Sequence, residues 1–525
     1  MHKYPPSLNY LLLALFGILS MLGIQHHSMW LDEVNCWLIA KNSHSLSELF
    51  HLNRYGGNPM LWDVLLYILT RFTAHPFFIQ LLNILLSFLA AFLFLKYSPF
   101  TVLQKICILF SYFFFFEYNI ISRTYELTWL LLVAFCILLT HPKRNYAAIT
   151  FILILLANTH LFSLLVSIPL FFITLYFIRK EKETKPKTIL LLSCLFLVGL
   201  IVSIISIIPA HDTFILQSLN ESYFSADRIS KASSYFVKGL YPFPDFFTYH
   251  FWNTNFIVSY LKPLSIILTA IILLAPITIF YEKYLLLLFF YISNFSIVIS
   301  LFMLKLFTGT RYMGYSFMIL LVALWLATDE RFKSTPKFIQ PWSALLLKVN
   351  KIVAKPFLWS IIGTQLLVGV CTYYMALKIP FSEGANVAEI IYKWFPPNTT
   401  VMVVPANSGP AVSAYLKREV YYPELNSYGT FYQWNAHPVL SNKELGKRII
   451  TTLNSDTSHF NAIVISLAYD SIESLQHSLE FGFDTTMYYM YKKAIINNGI
   501  ITGENYVIYS LESHNPTNSV NTSSK

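Results

Sequence analysis

Long apolar runs are the feature that most constrains the fold of this chain. Runs of about 20 residues with almost no charge recur through the first two thirds of the sequence, and about 20 apolar residues are what a helix needs to span a bilayer. Only 12% of the 525 residues are charged, whereas soluble domains carry about 25%. The sequence therefore predicts a mainly α, polytopic membrane protein.

Twelve apolar runs are candidates for membrane spans. The first of them is preceded by Lys3, as in a signal peptide, but it lacks a small-residue cleavage motif before Gln25, so we expect an uncleaved helix. The runs lie at 8–24, 59–72, 76–95, 101–117, 122–140, 146–158, 160–178, 188–208, 260–280, 284–303, 310–328 and 357–378.

The basic loops indicate which runs cross the membrane. Loops rich in Lys and Arg are expected on the cytoplasmic side, and here they are 96–105, 141–145, 179–187 and 329–355. If all twelve runs crossed, two of these loops would fall outside, and leaving out 59–72 removes the conflict. That run makes only about 21 Å of helix against a core of about 30 Å. We therefore expect an interfacial or re-entrant helix there, about 11 transmembrane helices, and a cytoplasmic N-terminus.

This topology predicts two domains. A transmembrane domain, 1–378, carries the external loops 25–75 and 209–259, and an extracytoplasmic domain, 379–525, follows it. The second domain is polar and alternates strand-like runs with amphipathic stretches, which predicts a small α/β fold with a disordered tail. The strand-like runs are 400–405, 461–466 and 505–510, and the helix-like stretches are 387–395 and 408–416.

Two classes of function are not expected. The net charge of +10 does not indicate nucleic-acid binding, because the basic residues lie mostly in short loops between apolar runs. An inverted-repeat transporter is disfavoured by the lack of a visible internal repeat. The five cysteines show neither a pairing framework nor metal-ligand spacing.

Polar residues cluster at the predicted outer ends of the helices. Charged groups at such positions are costly in an apolar protein and are therefore candidates for function. A carboxylate can deprotonate an attacking hydroxyl, arginines can hold a phosphate, and apolar helices can hold a lipid tail. Together these groups favour sugar transfer from a polyprenyl-phosphate carrier. The candidates are Asp32, Glu33, Arg54, Asn58, Arg123, Tyr125, His160, Arg311 and Tyr312.

Five segments carry a resemblance to a known superfamily. They are WLDEVNCWLIAKNS, RYGGNPMLWDVLLYILTRF, ISRTYEL, NTHLF and TGTRYMGYSFMILLVALWLA, in that order along the chain. The chain resembles the GT-C glycosyltransferases, which include protein O-mannosyltransferases and the bacterial aminoarabinose transferases of lipid A, and it looks most like their family-39-like branch. The resemblance covers about residues 1–380 and, more faintly, 414–435.

The resemblance implies an enzyme. Asp32 would be the catalytic base, and Glu33 its partner in orienting the acceptor or in binding a divalent cation such as Mg²⁺ or Mn²⁺. The donor would be a polyprenyl-phosphate sugar, and transfer would invert the configuration at the anomeric carbon of the sugar. The acceptor would be a lipid, a polysaccharide or a protein. The chain would be an integral protein of the bacterial inner membrane. Gly56, Asn58 and Tyr312 replace a Glu and two His that are frequent in related sequences, which indicates a different substrate, no metal at that place, or an inactive relative.

Simpler explanations exist for each of these residues. The acid pair Asp32–Glu33 suits the N-terminus of any surface helix, and Arg123 and Arg311 could anchor helix ends at the headgroups. Tyrosines and tryptophans such as Trp30 and Trp37 are common at membrane interfaces. The alternative function is a transporter or a lipid or polysaccharide flippase, and a third is an adaptor built around the external domain.

Overall fold

The computed structural model describes residues 6–181, 185–213, 226–304, 309–336, 339–435, 440–455, 461–470, 472–480 and 487–514. The chain divides into two compact units. The first contains Met1–Gln25, Ser45–Leu69 and Phe77–Met375, and the second contains His26–His44, Thr70–Pro76 and Ala376–Lys525. The sequence-based boundary at residue 378 stays a prediction, and it leaves out the two short segments that the second unit takes from the first part of the chain.

The first unit is helical. Its α-helices are Pro6–His26, Leu46–Asn53, Leu61–Thr70, Phe77–Tyr97, Val102–Leu109, Tyr125–Thr140, Tyr146–Ala157, Leu161–Glu181, Pro186–Ile207, Ala226–Leu240, Phe256–Tyr260, Lys262–Ile279, Tyr284–Leu304, Thr310–Leu326 and Ser343–Ala376. A π-helical turn, Tyr112–Glu117, and two 3₁₀ turns, Glu330–Phe332 and Gln340–Trp342, complete it.

Seven helices in the described part of the chain are long and apolar enough to cross a membrane. This confirms the mainly helical, polytopic membrane class, while the predicted count of about eleven is not reproduced. Three of the predicted spans are shorter helices, Tyr125–Thr140, Tyr146–Ala157 and Thr310–Leu326. The seven are Ser7–His26, Phe77–Tyr97, Leu161–Glu181, Pro186–Ile207, Lys262–Ile279, Tyr284–Leu304 and Gln340–Ala376.

The predicted span 101–117 is not one helix. Val102–Leu109 ends at Phe110, and the π turn begins after Ser111, whose hydroxyl accepts a hydrogen bond from the Phe114 amide at 3.3 Å. Gly369 of the last helix lies against this break, where an added Cβ would meet the backbone, including the Tyr112 nitrogen at 2.8 Å. Only glycine allows this approach without displacement of the backbone.

Three of the predicted cytoplasmic loops meet at one end of the first unit. Arg144 pairs with Asp329 at 3.3 Å. Arg331 donates to the Thr140 carbonyl at 2.9 Å, and Lys180 donates to the Arg331 carbonyl at 3.1 Å. Residues of the basic loops 141–145, 179–187 and 329–355 therefore lie together, while the cytoplasmic position of these loops stays a prediction.

The segment predicted as an external loop, 209–259, contains two helices, and its residues 214–225 lie outside the described part. In helix Ala226–Leu240, Tyr235 is buried and its hydroxyl donates to Asn294 Oδ1 at 3.1 Å. The amide of Gln365 donates to the Gly239 carbonyl at 3.0 Å. This helix is thus part of the helical core.

The second unit is built on a six-stranded sheet. Its strands are β1 Thr400–Val404, β2 Val420–Tyr422, β3 Ser427–Gly429, β4 Asn461–Ser466, β5 Met487–Ile496 and β6 Tyr506–His514, in the order β3-β2-β1-β4-β6-β5. β1 is parallel to β2 and β4, and the other pairs are antiparallel. Its α-helices are Leu31–Asn42, Gly384–Trp394, Gly409–Leu416, Asn442–Ser455 and Ile472–Glu480, and its 3₁₀ turns are Ala406–Ser408 and Thr502–Glu504.

Both faces of this sheet are covered, so its central strands are apolar throughout. Met402 of β1 packs in one cluster with Ile449 of helix Asn442–Ser455. Val403 packs on the opposite face with Val387 of helix Gly384–Trp394. Burial on both faces is typical of parallel strands between helices, and the predicted C-terminal sheet region is confirmed.

Candidate functional site

The predicted site residues fall into both units. Asp32 and Glu33 belong to the second unit, and the other seven belong to the first.

The acid pair lies in the first turn of helix Leu31–Asn42, where the exposed N–H groups favour carboxylates. Glu33 is fully buried, and its Oε2 accepts from the Trp30 amide at 3.2 Å. The same oxygen lies 2.8 Å from Nε2 of His27. Glu33 therefore caps the helix and fixes His27, and Asp32 is the half-exposed member of the pair.

A third carboxyl group, Glu504, joins the acid pair. Its Oε1 accepts from the Leu31 amide at 2.7 Å. Burial raises the pKa of Glu504 to about 8, the charges of Asp32 and Glu33 act in the same direction, and Ser382 and the Leu31 amide oppose them. The group is thus mostly protonated at neutral pH. Sequence reasoning missed it, since nothing in the short TGEN segment distinguishes this Glu from a surface residue.

The helix that carries the acid pair is held by the tail of the same unit. The Met29 amide donates to the Tyr415 hydroxyl at 2.7 Å. Asn35 exchanges two hydrogen bonds with the Tyr432 backbone, at 2.9 and 2.8 Å. Both tyrosines lie in 414–435, the tail stretch with the faint resemblance. Trp37, which the sequence suggested as an interface aromatic, is fully buried.

The first unit brings three predicted residues together in a ring cluster: Tyr125, His160 and Tyr312. Ring centroids are 5.1 Å apart between Tyr125 and His160, and 5.9 Å apart between His160 and Tyr312. Tyr315 stacks on His160 at 5.6 Å. The three residues come from three different helix ends, so the fold, and not local sequence, assembles them.

His160 is a neutral imidazole in this environment. Its Nδ1 accepts from the Phe162 amide at 3.1 Å, so the proton of the neutral ring sits on Nε2. Burial, together with the positive charges of Arg123 and Arg311, lowers the pKa of His160 to about 3. Both predicted arginines therefore lie near the ring cluster.

Arg311 is positioned by aromatic groups. Its guanidinium lies 5.1 Å from the centroid of Tyr312 and 5.8 Å from that of Trp252. The Trp252 indole donates to Glu117 Oε2 at 3.1 Å, and the Tyr112 hydroxyl donates to the same oxygen at 2.8 Å. The π turn that carries Glu117 thus orients a ring that contacts Arg311, and π turns are frequent at functional sites.

Asp63 is a second residue that sequence reasoning missed. It is buried in the first turn of helix Leu61–Thr70. Burial raises its pKa to about 6, and the nearby Arg123 opposes that rise. The signal was present, because Asp63 is the one carboxylate in the apolar run PMLWDVLLYILTRF, and a lone acid in such a run is a candidate by default.

Arg54 and Asn58 donate to backbone carbonyls, Arg54 to a distant segment of the chain and Asn58 within its own loop. Arg54 donates to the carbonyls of Ile208 and Pro209 at 3.0 and 3.1 Å. Asn58 donates to the Gly56 carbonyl at 3.3 Å. These bonds fix the loop before helix Leu61–Thr70, and a substrate-binding role for the two residues stays a prediction.

Few metal-ligating side chains lie together in the described part of the chain. Among the residues that the structure describes, no group of three or more His, Cys, Asp or Glu side chains could hold a metal ion. The Glu33 carboxylate is already used by His27 and by the helix cap. A divalent cation at Asp32 and Glu33 stays a prediction.

Comparison of the chain with protein-family models, with curated proteins and with solved structures found no match. The resemblance to the GT-C glycosyltransferases therefore rests on the five motifs alone.

Proposed function

We propose that the protein is a membrane glycosyltransferase of the GT-C type. It moves a sugar from a polyprenyl-phosphate donor to a hydroxyl group of a lipid, polysaccharide or protein acceptor. The observation that carries the proposal is the ring cluster with its two arginines. Arg123 and Arg311 lie at the ends of apolar helices, and the positive charges of both lower the pKa of the buried His160. Two arginines beside apolar helices suit a phosphate that is attached to a lipid tail.

The ring cluster supplies donors for the carrier phosphate. Arginine side chains bind phosphate oxygens through forked hydrogen bonds, and the Nε2–H of the neutral His160 adds a further donor. As the bond between the sugar C1 and the phosphate oxygen breaks, negative charge grows on that oxygen. Fixed positive groups stabilise this charge more strongly in the transition state than in the bound donor, and they therefore accelerate transfer.

Asp32 acts on the acceptor. Its carboxylate takes the proton from the acceptor hydroxyl as that oxygen bonds to the sugar C1. The polyprenyl phosphate leaves with the electron pair of the broken bond. Because the acceptor attacks from the opposite face, the configuration at the sugar C1 is inverted. Glu33 and Glu504 hold the start of the helix that carries Asp32, so they position the base rather than react.

The topology belongs to the same proposal. We propose eleven spans in the bacterial inner membrane and a cytoplasmic N-terminus. This arrangement places the acid motif and the C-terminal domain on the outer, extracytoplasmic side. The meeting of the three basic loops at one end of the first unit supports this arrangement, because such loops lie on the cytoplasmic side.

The test is sugar transfer in membranes that contain the wild-type protein or Asp32→Asn. Radiolabelled donors with different sugars on polyprenyl phosphate are supplied in parallel. Loss of the general base lowers the rate by about 10²-fold or more, while the exposed Asp470→Asn leaves transfer unchanged. Full transfer by a well-folded Asp32→Asn protein would refute the assignment of the base.

A further inference from the structure

The second unit contains a cavity of about 320 Å³ that the proposed transfer reaction does not use. It lies beside the C-terminal ends of helices Leu31–Asn42 and Gly409–Leu416. Its volume is at the lower end of the range for small-molecule sites, about 300 to 1,000 Å³. A ligand of the size of one substituted sugar fits this volume.

The lining of the cavity is cationic. Lys41, Lys417 and Arg418 line it together with His75, and within the described part of the chain no carboxylate is among the lining residues. Cationic groups around a concave site attract anions and raise their local concentration. Arg418 is held in place, because its Nη1 donates to the Pro397 carbonyl at 2.7 Å.

Two buried N–H groups of the lining residues have no acceptor among the residues that the structure describes. They are Nε of Arg418 and Nε1 of Trp37, and Trp37 is 0% exposed. Buried donors are almost always paired in folded proteins. Since both groups are donors, the partner they lack is an acceptor, such as an oxygen of an anion or a sugar.

The backbone at Lys417 is a further feature that points to a ligand in this cavity. Lys417 ends helix Gly409–Leu416 with φ 54° and ψ 26°, in the left-handed region. Glycine is the usual residue there, because a Cβ atom strains this conformation. A lysine at such a position is consistent with a use for its ammonium group.

We propose that this cavity binds an anionic sugar unit, one that bears a phosphate or a carboxylate group. Lys41, Lys417 and Arg418 hold the anionic group. Hydroxyls of Ser413 and Thr430, which also line the cavity, bond to sugar hydroxyls; the Thr430 oxygen already accepts from Asn42 at 2.9 Å and keeps its own O–H to donate. The inference goes beyond the proposed transfer reaction and does not depend on it.

The test is calorimetric titration of the full-length protein in detergent with four probes: glucose 1-phosphate, glucuronate, inorganic phosphate and glucose. We expect one or both anionic sugars to bind at least about tenfold more tightly than glucose and than phosphate alone. The comparison of glucose 1-phosphate with glucuronate decides which anionic group the cavity prefers. Added salt weakens the binding, because the contacts are charged.

Variants assign the binding to the cavity. The double variant Lys41→Gln, Lys417→Gln raises the Kd by at least about tenfold, and Lys447→Gln, an exposed lysine of the same unit outside the cavity, leaves it unchanged. Both are compared by thermal unfolding, so that a folding defect is recognised. Any of three results overturns the proposal. They are an unchanged Kd in the double variant, equal affinity for glucose and glucose 1-phosphate, and no heat from either anionic sugar at about 10 mM. Asp32→Asn keeps the binding, so a missing transfer activity and a missing sugar site give different results.

Discussion

Because Glu504 is protonated in the folded protein, we expect the protein to lose stability as the pH rises. Burial raises the pKa of Glu504 from 4.5 to about 8. Between these values the folded state holds one proton that the unfolded state has released, so the free energy of unfolding falls as the pH rises and becomes constant above about 8. The change is about 1.4 kcal/mol per pH unit, which gives at most about 5 kcal/mol over the whole interval.

Glu504→Gln removes this dependence. The amide oxygen of Gln can still accept from the Leu31 amide, as Glu504 Oε1 does at 2.7 Å, and the amide does not ionise. The variant is therefore about as stable as the wild type near pH 5 and more stable at pH 8 to 9. At about 2–4 °C per kcal/mol for a unit of this size, the wild-type midpoint falls by at least about 5 °C more than that of the variant.

The assay is thermal unfolding of the full-length protein in detergent at pH 5, 6.5, 8 and 9. The exposed Glu473→Gln serves as the matched control, because it removes the same charge without burial, and it keeps the wild-type slope. Equal slopes for the wild type and Glu504→Gln would refute the claim that Glu504 is protonated in the folded protein.

Three further predictions concern the first unit. Gly369→Ala lowers the free energy of unfolding by about 1–3 kcal/mol, because its Cβ meets backbone. Gly363→Ala in the same helix, whose added Cβ has no atom within 4 Å, raises it by about 0.5–1 kcal/mol; thermal unfolding compares the two variants. Arg311→Lys raises the KM for the donor about tenfold, since an ammonium cannot form the forked contact; an unchanged KM would contradict phosphate binding there. His160→Gln does not move the acid limb of the pH–rate profile between pH 5 and 8, because burial and two arginines hold the pKa of His160 at about 3; a shifted limb would show that the imidazole titrates.

Much of the fold follows from the apolar pattern. Seven of the predicted spans appear as long apolar helices because their hydrophobicity is continuous. Strands β1 and β4 were predicted from short β-branched runs and appear at Thr400–Val404 and Asn461–Ser466. The break at Phe110 is not predictable from local sequence, since mainly apolar residues flank it on both sides and the glycine packed against it, Gly369, is distant in the chain.

The candidate site could be predicted only in part. Tyr125, His160 and Tyr312 were proposed from their positions near helix ends, and the structure brings them together. Glu504 was not predictable, because its burial against the start of helix Leu31–Asn42 depends on a chain separation of 473 residues. Local sequence patterns carry no information about such long-range neighbours.

The measurement that tests the central claim most directly is a product analysis with purified protein in liposomes. A polyprenyl-phosphate sugar is enclosed in the bilayer with an acceptor, and free polyprenyl phosphate, glycosylated acceptor and intact donor in each leaflet are quantified over time. We predict that polyprenyl phosphate and glycosylated acceptor appear in a one-to-one ratio and that Asp32→Asn forms both at least about 10²-fold more slowly. A donor that crosses to the other leaflet intact, with no polyprenyl phosphate released, would contradict the transferase and identify a flippase instead.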